Sequence, residues 1–173
     1  MMTSRFAKIA VAVGAIGLAG GLQSSVQAAG TTATATATVA TAIGIAKTVD
    51  MSFGTIGATA SAGSVVLNTD GSRTCTDVDC LSGSPGAAAS FDVTGEGANT
   101  YSITLPSDGV VTLTGLGPAM ACDSFVSLPL TTGTLTAGAQ TLLVGCTLAV
   151  ANAATQTPDT YTSALFTVTV NYN

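Results

Sequence analysis

Apolar and polar residues alternate in short runs along most of the chain after residue 28. A period of two places every second side chain on one face, which is typical of β-strands with one buried side. The clearest run is AQTLLVGCTLAV at 139–150, with one apolar face formed by Leu142, Val144, Cys146, Leu148 and Val150. The chain ends on a second such run, YTSALFTVTVNYN at 161–173, whose single face comprises Ala164, Phe166, Val168, Val170 and Tyr172.

Turn residues separate these runs about every 8–12 residues, as in all-β domains. The segment 63–76 predicts a hairpin that turns at Asn68–Gly71, where Asn, Asp and Gly favour tight turns. Period-two alternation, rather than a helical period, recurs after residue 28. The sequence therefore predicts an all-β fold, an immunoglobulin-like β-sandwich with Greek-key connections. The chain has no Trp, so it lacks the Cys…Trp…Cys pattern of antibody domains.

The first 28 residues have the order of a secretory signal peptide. Arg5 and Lys8 precede an apolar run at 9–21, and the small residues Val26 and Ala28 predict cleavage after Ala28. A transmembrane anchor is the alternative, but the run is shorter than the roughly 20 residues that span a membrane. We therefore expect export to the periplasm, the cell surface or the medium, with no membrane anchor after cleavage.

The charge balance after cleavage argues against a nucleic-acid partner. Of the four basic residues, only Lys47 and Arg73 follow the predicted signal peptide, against nine acidic residues. Binding to phosphates needs clustered Lys and Arg, which this chain does not have. The same imbalance disfavours binding to anionic membranes.

The sequence offers little chemistry for catalysis. It contains no His, the most frequent general base, and no G-x-S-x-G nucleophile motif. The carboxylate pairs Asp77/Asp79 and Asp92/Glu96 are candidates for acid–base work, but acidic residues in loops more often keep a strand-rich chain soluble. The acidic stretch around 68–79 lacks the order of an EF-hand loop. We expect no enzyme activity and no cofactor.

Four cysteines follow the predicted signal peptide, namely Cys75, Cys80, Cys122 and Cys146. An even number of cysteines in an exported chain favours disulfides. We favour the pairs that are local in sequence, Cys75–Cys80 and Cys122–Cys146, although three pairings are possible. A four-cysteine zinc site is the alternative, but the spacing of these residues fits one poorly.

Residues 29–39, here called the N-terminal ribbon, alternate Thr and Ala almost perfectly. One face is small and apolar, formed by Ala33, Ala35, Ala37 and Val39, and Ile43 and Ile45 continue it. Fully extended, the ribbon would reach about 35 Å. The alternation continues to about residue 46, which exceeds the usual 5–6 residues of a strand. The ribbon is therefore either part of the first strand of a complete sandwich or an extension that pairs elsewhere.

Four segments resemble a bacterial exported family called domain of unknown function 4402. They are DMSFGTI (50–56), SFDVTGEGANTYSITLP (90–106), GTLTAGAQTLLVGCTLAV (133–150) and YTSALFTVTVNYN (161–173). The resemblance covers essentially the whole chain after the predicted signal peptide. It does not settle how the four cysteines pair.

The layout also resembles the spore-coat-U-like pilins of archaic chaperone–usher systems. Both have an alternating Thr/Ala/Val start and a Tyr-ended final strand, here Tyr161 to Tyr172. This resemblance implies an incomplete pilin-type sandwich, completed by the N-terminal extension of the next subunit. It also implies a periplasmic chaperone that pairs with the final strand before assembly, facing Phe166, Val168, Val170 and Tyr172.

The sequence thus predicts a signal peptide (1–28), an N-terminal extension (29–39) and one β-sandwich domain (40–173). The expected function is that of a non-enzymatic, pilin-like subunit of a bacterial surface fibre. Its expected partners are like subunits, which accept the ribbon residues Ala33, Ala35, Ala37 and Val39, and a chaperone. A self-contained secreted or surface immunoglobulin-like binding domain is the alternative, because one fold can serve both functions.

Overall fold

The computed structural model describes residues 29–173, and the predicted signal peptide at 1–28 lies outside the described residues. The described part is built from antiparallel strands and turns and contains no helix, which confirms the all-β prediction. Consistently, residues 29–173 include no helix long and apolar enough to cross a membrane. The immunoglobulin-like type and the Greek-key connections stay predictions.

Thirteen strands follow one another along residues 29–173. In order they are β1 (Gly44–Val49), β2 (Ile56–Ala58), β3 (Gly63–Leu67), β4 (Arg73–Thr76), β5 (Val78–Cys80), β6 (Ala89–Thr94), β7 (Thr100–Thr104), β8 (Val111–Thr114), β9 (Met120–Leu128), β10 (Thr132–Thr134), β11 (Ala139–Val150), β12 (Thr162–Ser163) and β13 (Thr169–Tyr172).

The large sheet is organised around β11. Its main order is β1-β6-β11-β9-β8-β12, and β3 joins the C-terminal half of β11 with β4 beside it. A three-stranded sheet has the order β10-β7-β13, and β2 pairs with β5 alone. Consequently β1, β12 and β13 each lie at the edge of a sheet.

The first of two hydrophobic cores, here called the disulfide core, lies under the C-terminal half of β11. Apolar residues of β3, β5, β8, β9 and β11 bury their alternate side chains there, as half-buried strands do. Its buried members are Phe53, Val65, Leu67, Val78, Val111, Met120, Cys122, Cys146, Leu148 and Val150.

The second core, here called the disulfide-free core, lies between the large sheet and the three-stranded sheet. Strands β6 and β11 contribute from one side, and β7 and β13 from the other, so the two sheets pack face to face. Its buried members are Ala89, Phe91, Val93, Tyr101, Ile103, Leu135, Leu142, Val144, Val168 and Val170.

Two predicted local elements are present as expected. Strand β11 spans the predicted run 139–150, and the five residues of its predicted apolar face are all buried. The hairpin of β3 and β4 turns at Asn68. The backbone N–H of Asn68 donates to Ser72 O (2.9 Å), and the backbone N–H of Gly71 donates to Asn68 O (3.0 Å). The Asp70 carboxylate completes the turn by accepting from Ser72 N (2.8 Å).

The prediction of one continuous final strand over 161–173 is wrong. Strand β12 pairs with β8 of the large sheet, whereas β13 pairs with β7 of the three-stranded sheet. The chain must cross from one sheet to the other over residues 164–168, which belong to no strand. Ala164 is therefore exposed, and Phe166 packs against both cores.

The first strand is also shorter than the alternation suggested. It begins at Gly44, so residues 29–43 form no strand in the described part of the chain. One compact unit comprises residues 38–173, and residues 29–37, outside it, are exposed throughout. The domain boundaries predicted at residues 28 and 39 stay predictions.

Candidate functional site

The point where the N-terminal ribbon joins the domain is fastened by three residues, here called the latch: Thr41, Glu96 and Tyr172. The Tyr172 hydroxyl accepts from the Glu96 amide (2.6 Å) and donates to the Thr41 carbonyl (2.9 Å). The Thr41 hydroxyl donates to Glu96 Oε2 (2.8 Å), and the Thr41 amide donates to the same oxygen (3.3 Å). The latch joins the start of the domain to its last strand.

The latch has a simple electrostatic consequence for Glu96. The hydrogen bond from the Thr41 hydroxyl, and then the one from its backbone amide, favour the charged carboxylate and so lower the pKa of Glu96.

The Tyr172 hydroxyl lies close to the backbone of Gly95, because a Cβ added at Gly95 would collide with that hydroxyl. Glycine at 95 therefore makes room for the latch.

The ribbon is exposed within the part of the chain that the structure describes. Ala33, Ala35 and Ala37 are exposed, and Val39 keeps 95% of its surface in contact with solvent. Exposed apolar residues that alternate along a segment without strand pairing are unusual in a finished sheet. The sequence pattern is thus present, but its apolar face has nothing to cover within the described chain.

A groove of about 680 Å³ opens into the disulfide core. One wall is the segment from Lys47 to Ile56, and the other is the segment from Asp159 to Phe166. The floor consists of side chains of the core itself, namely Val111, Leu113, Met120, Cys122 and Leu148. Part of the core is therefore covered by the loop between β1 and β2 and by the non-strand residues on either side of the two-residue strand β12.

A smaller cavity of about 400 Å³ extends the groove. The two cavities share Ile56, Met120, Asp159 and Tyr161. Residues 56–58 continue the first wall there, and residues 153–159 continue the second. Gln156, which lines this part, has a buried side-chain oxygen with no hydrogen-bond partner among the described residues. The groove and the smaller cavity are thus adjacent, and the smaller one contains a free acceptor.

Backbone groups along both walls also lack partners. Within the described residues, the amides of Met51 and Phe53 donate to no acceptor, and neither Leu165 nor Phe166 makes a backbone hydrogen bond. The opposite side of the first wall is well fixed, because Arg73 donates to Phe53 O (2.6 Å) and to Leu81 O (2.9 Å). An extended segment could therefore find hydrogen-bond partners in the groove.

The residues predicted to face a chaperone lie on and just before β13. Val168 and Val170 are buried in the disulfide-free core, and Phe166 and Tyr172 pack against it. Strand β13 pairs with β7 on one side and lies at the sheet edge on the other. The side chains are thus packed within the domain, while the outer backbone edge of this strand has no pairing strand among residues 29–173.

The cysteines lie at disulfide distance in the two pairs that local spacing favoured. The Cα atoms of Cys75 and Cys80 are 6.2 Å apart, and those of Cys122 and Cys146 are 5.9 Å apart. The second pair links β9 to β11 inside the disulfide core, and the first pair packs against the same core. The alternative zinc site would need all four sulfurs together, and the structure separates them into two pairs.

The candidate carboxylates lie at the surface. Asp77, Asp79 and Asp92 are exposed, and Glu96 belongs to the latch. Among residues 29–173, no group of three or more metal-ligating side chains is arranged to hold an ion.

Sequence reasoning missed the latch and the groove. Glu96 and Tyr172 are 76 residues apart, and each has an ordinary local role, in a turn and in a strand. Only the pairing of β13 with β7 brings Tyr172 near the ribbon. The one signal that pointed to this place was the penultimate Tyr172 itself, which stood out in the terminal strand pattern.

These features define an all-β, disulfide-bearing domain with an unpaired N-terminal extension and a groove into one core. A family model described as "Domain of unknown function (DUF4402)" matches residues 43–172. The chain belongs to this family, as its sequence motifs indicated. No curated protein and no solved structure matches the chain. The family match begins just after the latch residue Thr41 and leaves the ribbon outside it.

Proposed function

We propose that this protein is a non-enzymatic, pilin-like subunit of a bacterial surface fibre, exported by its signal peptide and assembled by donor-strand addition. The observation that carries the proposal is the state of the N-terminal ribbon. Residues 29–39 alternate small apolar and polar side chains, yet they are exposed and belong to no strand. A segment patterned for pairing but left unpaired supports a partner outside the molecule.

Three further features support the proposal. The latch holds the chain at Thr41, just after the ribbon, and leaves the ribbon itself available to a neighbouring subunit. The family match excludes the ribbon, as expected of an added segment. The two cysteine pairs suit an oxidising compartment outside the cytoplasm. A periplasmic chaperone would pair with the free edge of β13 before assembly, which would protect an unpaired strand from aggregation.

The test is deletion of residues 29–39 in protein exported with its own periplasmic machinery. We expect the shortened protein to fold and to bind the chaperone but to form no fibres by electron microscopy. Ala35→Lys or Ala37→Lys should also block assembly, because a charge buried without a partner is costly. Thr36→Lys is the matched control, since it places the same charge on the opposite face. Intact protein that stays monomeric at all concentrations would contradict the proposal.

A self-contained binding domain is the second candidate, and one observation favours it. The buried members of both cores come from residues 53–170, so the domain supplies the interior of its own fold. A self-contained binding domain should be a monomer both with and without the ribbon. Light scattering of intact and shortened protein distinguishes the two functions.

A further inference from the structure

Two parts of the structure lack partners, and they have matching properties. The ribbon is an uncharged segment of alternating small apolar and polar side chains. The groove beside the disulfide core has a hydrophobic floor, and several backbone groups along its walls have no partner among the described residues. An extended peptide fits both the apolar floor and the polar walls. Every second side chain of such a peptide would point towards the floor, and its backbone would form hydrogen bonds with the walls.

The floor of the groove is apolar and belongs to the core. Met120, Cys122 and Leu148, which line it, are at most 5% exposed. The methyl groups of Ala33, Ala35 and Ala37 can lie on that floor, while the Thr side chains between them remain in water.

The position of the latch favours a second copy as the source of the ribbon. Strand β1 begins beside Thr94, close to the latch, and ends at Val49, on the groove wall. Its six residues separate the two places by about 20 Å. The root of the ribbon and the groove therefore lie at opposite ends of the same strand, an arrangement that suits head-to-tail contacts between copies.

We propose that the groove between residues 50–58 and 153–166 receives residues 31–39 of a second copy of this chain. This inference rests on the proposed function and assigns its receiving site. The contact is heterologous, because each copy gives its ribbon at one end and receives another at the groove. Contacts of this kind form open filaments when the rotation between copies does not close a ring.

The deciding experiment combines photo-crosslinking with isotopes. A small diazirine amino acid replaces Ala37 in the exported protein, and equal amounts of unlabelled and ¹⁵N-labelled protein are assembled together. We expect crosslinked peptides that join one light and one heavy copy, with position 37 attached to residues 50–58 or 153–166. Mass spectrometry identifies both the attachment site and the origin of each peptide.

Other results would overturn the inference in distinguishable ways. Fibres whose intermolecular crosslinks map to the free edge of β13 or β1, or that give no crosslink to the groove, would show that the groove is not the receiving site. The proposed function would then stand. Crosslinks confined to single copies, in protein that stays monomeric, would reject both the groove and the fibre.

A pair of substitutions gives an independent measurement. Ala164→Trp places a bulky side chain on the groove wall at an exposed position outside the strands. Ala149→Trp adds the same side chain at an exposed position of β11 that does not line the groove. We expect the first to reduce assembly at equal concentration by at least about tenfold, equivalent to about 1.4 kcal/mol, and the second to leave it unchanged. Equal assembly by both variants would contradict the groove assignment.

Discussion

The two cores of this domain are held together differently. The disulfide core has both cysteine pairs in or against it, but part of its cover is chain outside the strands, at 50–55, 159–161 and 164–166. The disulfide-free core is enclosed by two sheets whose strands pair regularly, and Tyr101 at its centre is fully buried. The covalent links therefore lie in the half that has less regular hydrogen bonding over it.

This difference suggests how the domain tolerates an open groove. Residues that border a groove lose packing on one side and contribute less stability than fully enclosed ones. A disulfide between β9 and β11 restricts the unfolded chain and so offsets that loss without closing the surface. The disulfide core can thus keep its stability while its groove remains open to a ligand.

The largest expected effect comes from the same truncation in each core. Leu142 and Leu148 lie on β11 and are both almost completely buried, but Leu148 borders the groove. We expect Leu142→Ala to lower the free energy of unfolding by about 4 kcal/mol, and Leu148→Ala by about 2–3 kcal/mol, because a cavity beside a groove can relax or fill with water. Urea unfolding measures both, and an equal or reversed order would contradict the proposed difference between the cores.

Removal of the longer disulfide should have the next largest effect. Cys122 and Cys146 are 24 residues apart, and replacing both with Ala should cost about 3 kcal/mol in the chain-entropy model. The same change at Cys75 and Cys80, which are 5 residues apart, should cost about 2 kcal/mol. Peptide mapping without reductant must first identify these pairs, and a Cys80–Cys122 bridge would be inconsistent with the structure.

Two tyrosines allow a matched comparison with a smaller effect. The Tyr172 hydroxyl belongs to the latch, and the Tyr161 hydroxyl likewise accepts from an amide, Gly117 N (2.8 Å), and donates to a carbonyl, Thr157 O (2.8 Å). Replacement of either by Phe should cost about 1 kcal/mol. Only Tyr172→Phe should increase amide exchange and proteolysis near Thr41. Equal exchange in both variants would mean that the latch does not hold the ribbon.

The smallest expected effect is a pH dependence of the latch. Because the pKa of Glu96 is lowered in the folded protein, its contribution to stability is complete above the ordinary pKa of glutamate. It should be lost as the pH falls through the lowered value, when the carboxylate takes up a proton. The protection of amides near Thr41, measured relative to their intrinsic exchange rate at each pH, should therefore fall in acid, and Glu96→Gln should remove that change. Asp70→Asn, at the β3–β4 turn, is the control that should leave it intact.

The sequence predicted what depends on local pattern. Strand β11 follows from an uninterrupted alternation, and the β3–β4 hairpin follows from turn residues that favour one geometry. Alternation also continues through Ala164, yet the chain there leaves one sheet for the other. A period of two shows which side chains share a face but not which sheet supplies the partner, so the break at 164–168 could not be foreseen.

The candidate site was only half predictable for the same reason. The apolar face of the ribbon can be read directly from its alternating residues. The latch requires contacts between Thr41, Glu96 and Tyr172. No sequence motif at these three positions indicates that they lie close together in the fold. The groove is a gap between distant segments, which has no sequence pattern of its own.

The position of β13, far along the chain from β1, sets an order of folding when the chain emerges with its N-terminal end first. Every buried member of the disulfide core lies between Phe53 and Val150, so that core can form before the residues after Val150 emerge. The disulfide-free core is complete only with Val168 and Val170, and the Tyr172 hydroxyl follows the Thr41 carbonyl by 131 residues. Contacts between such distant positions form slowly. The start of the domain would therefore lack its hydrogen bond to Tyr172 until β13 has emerged.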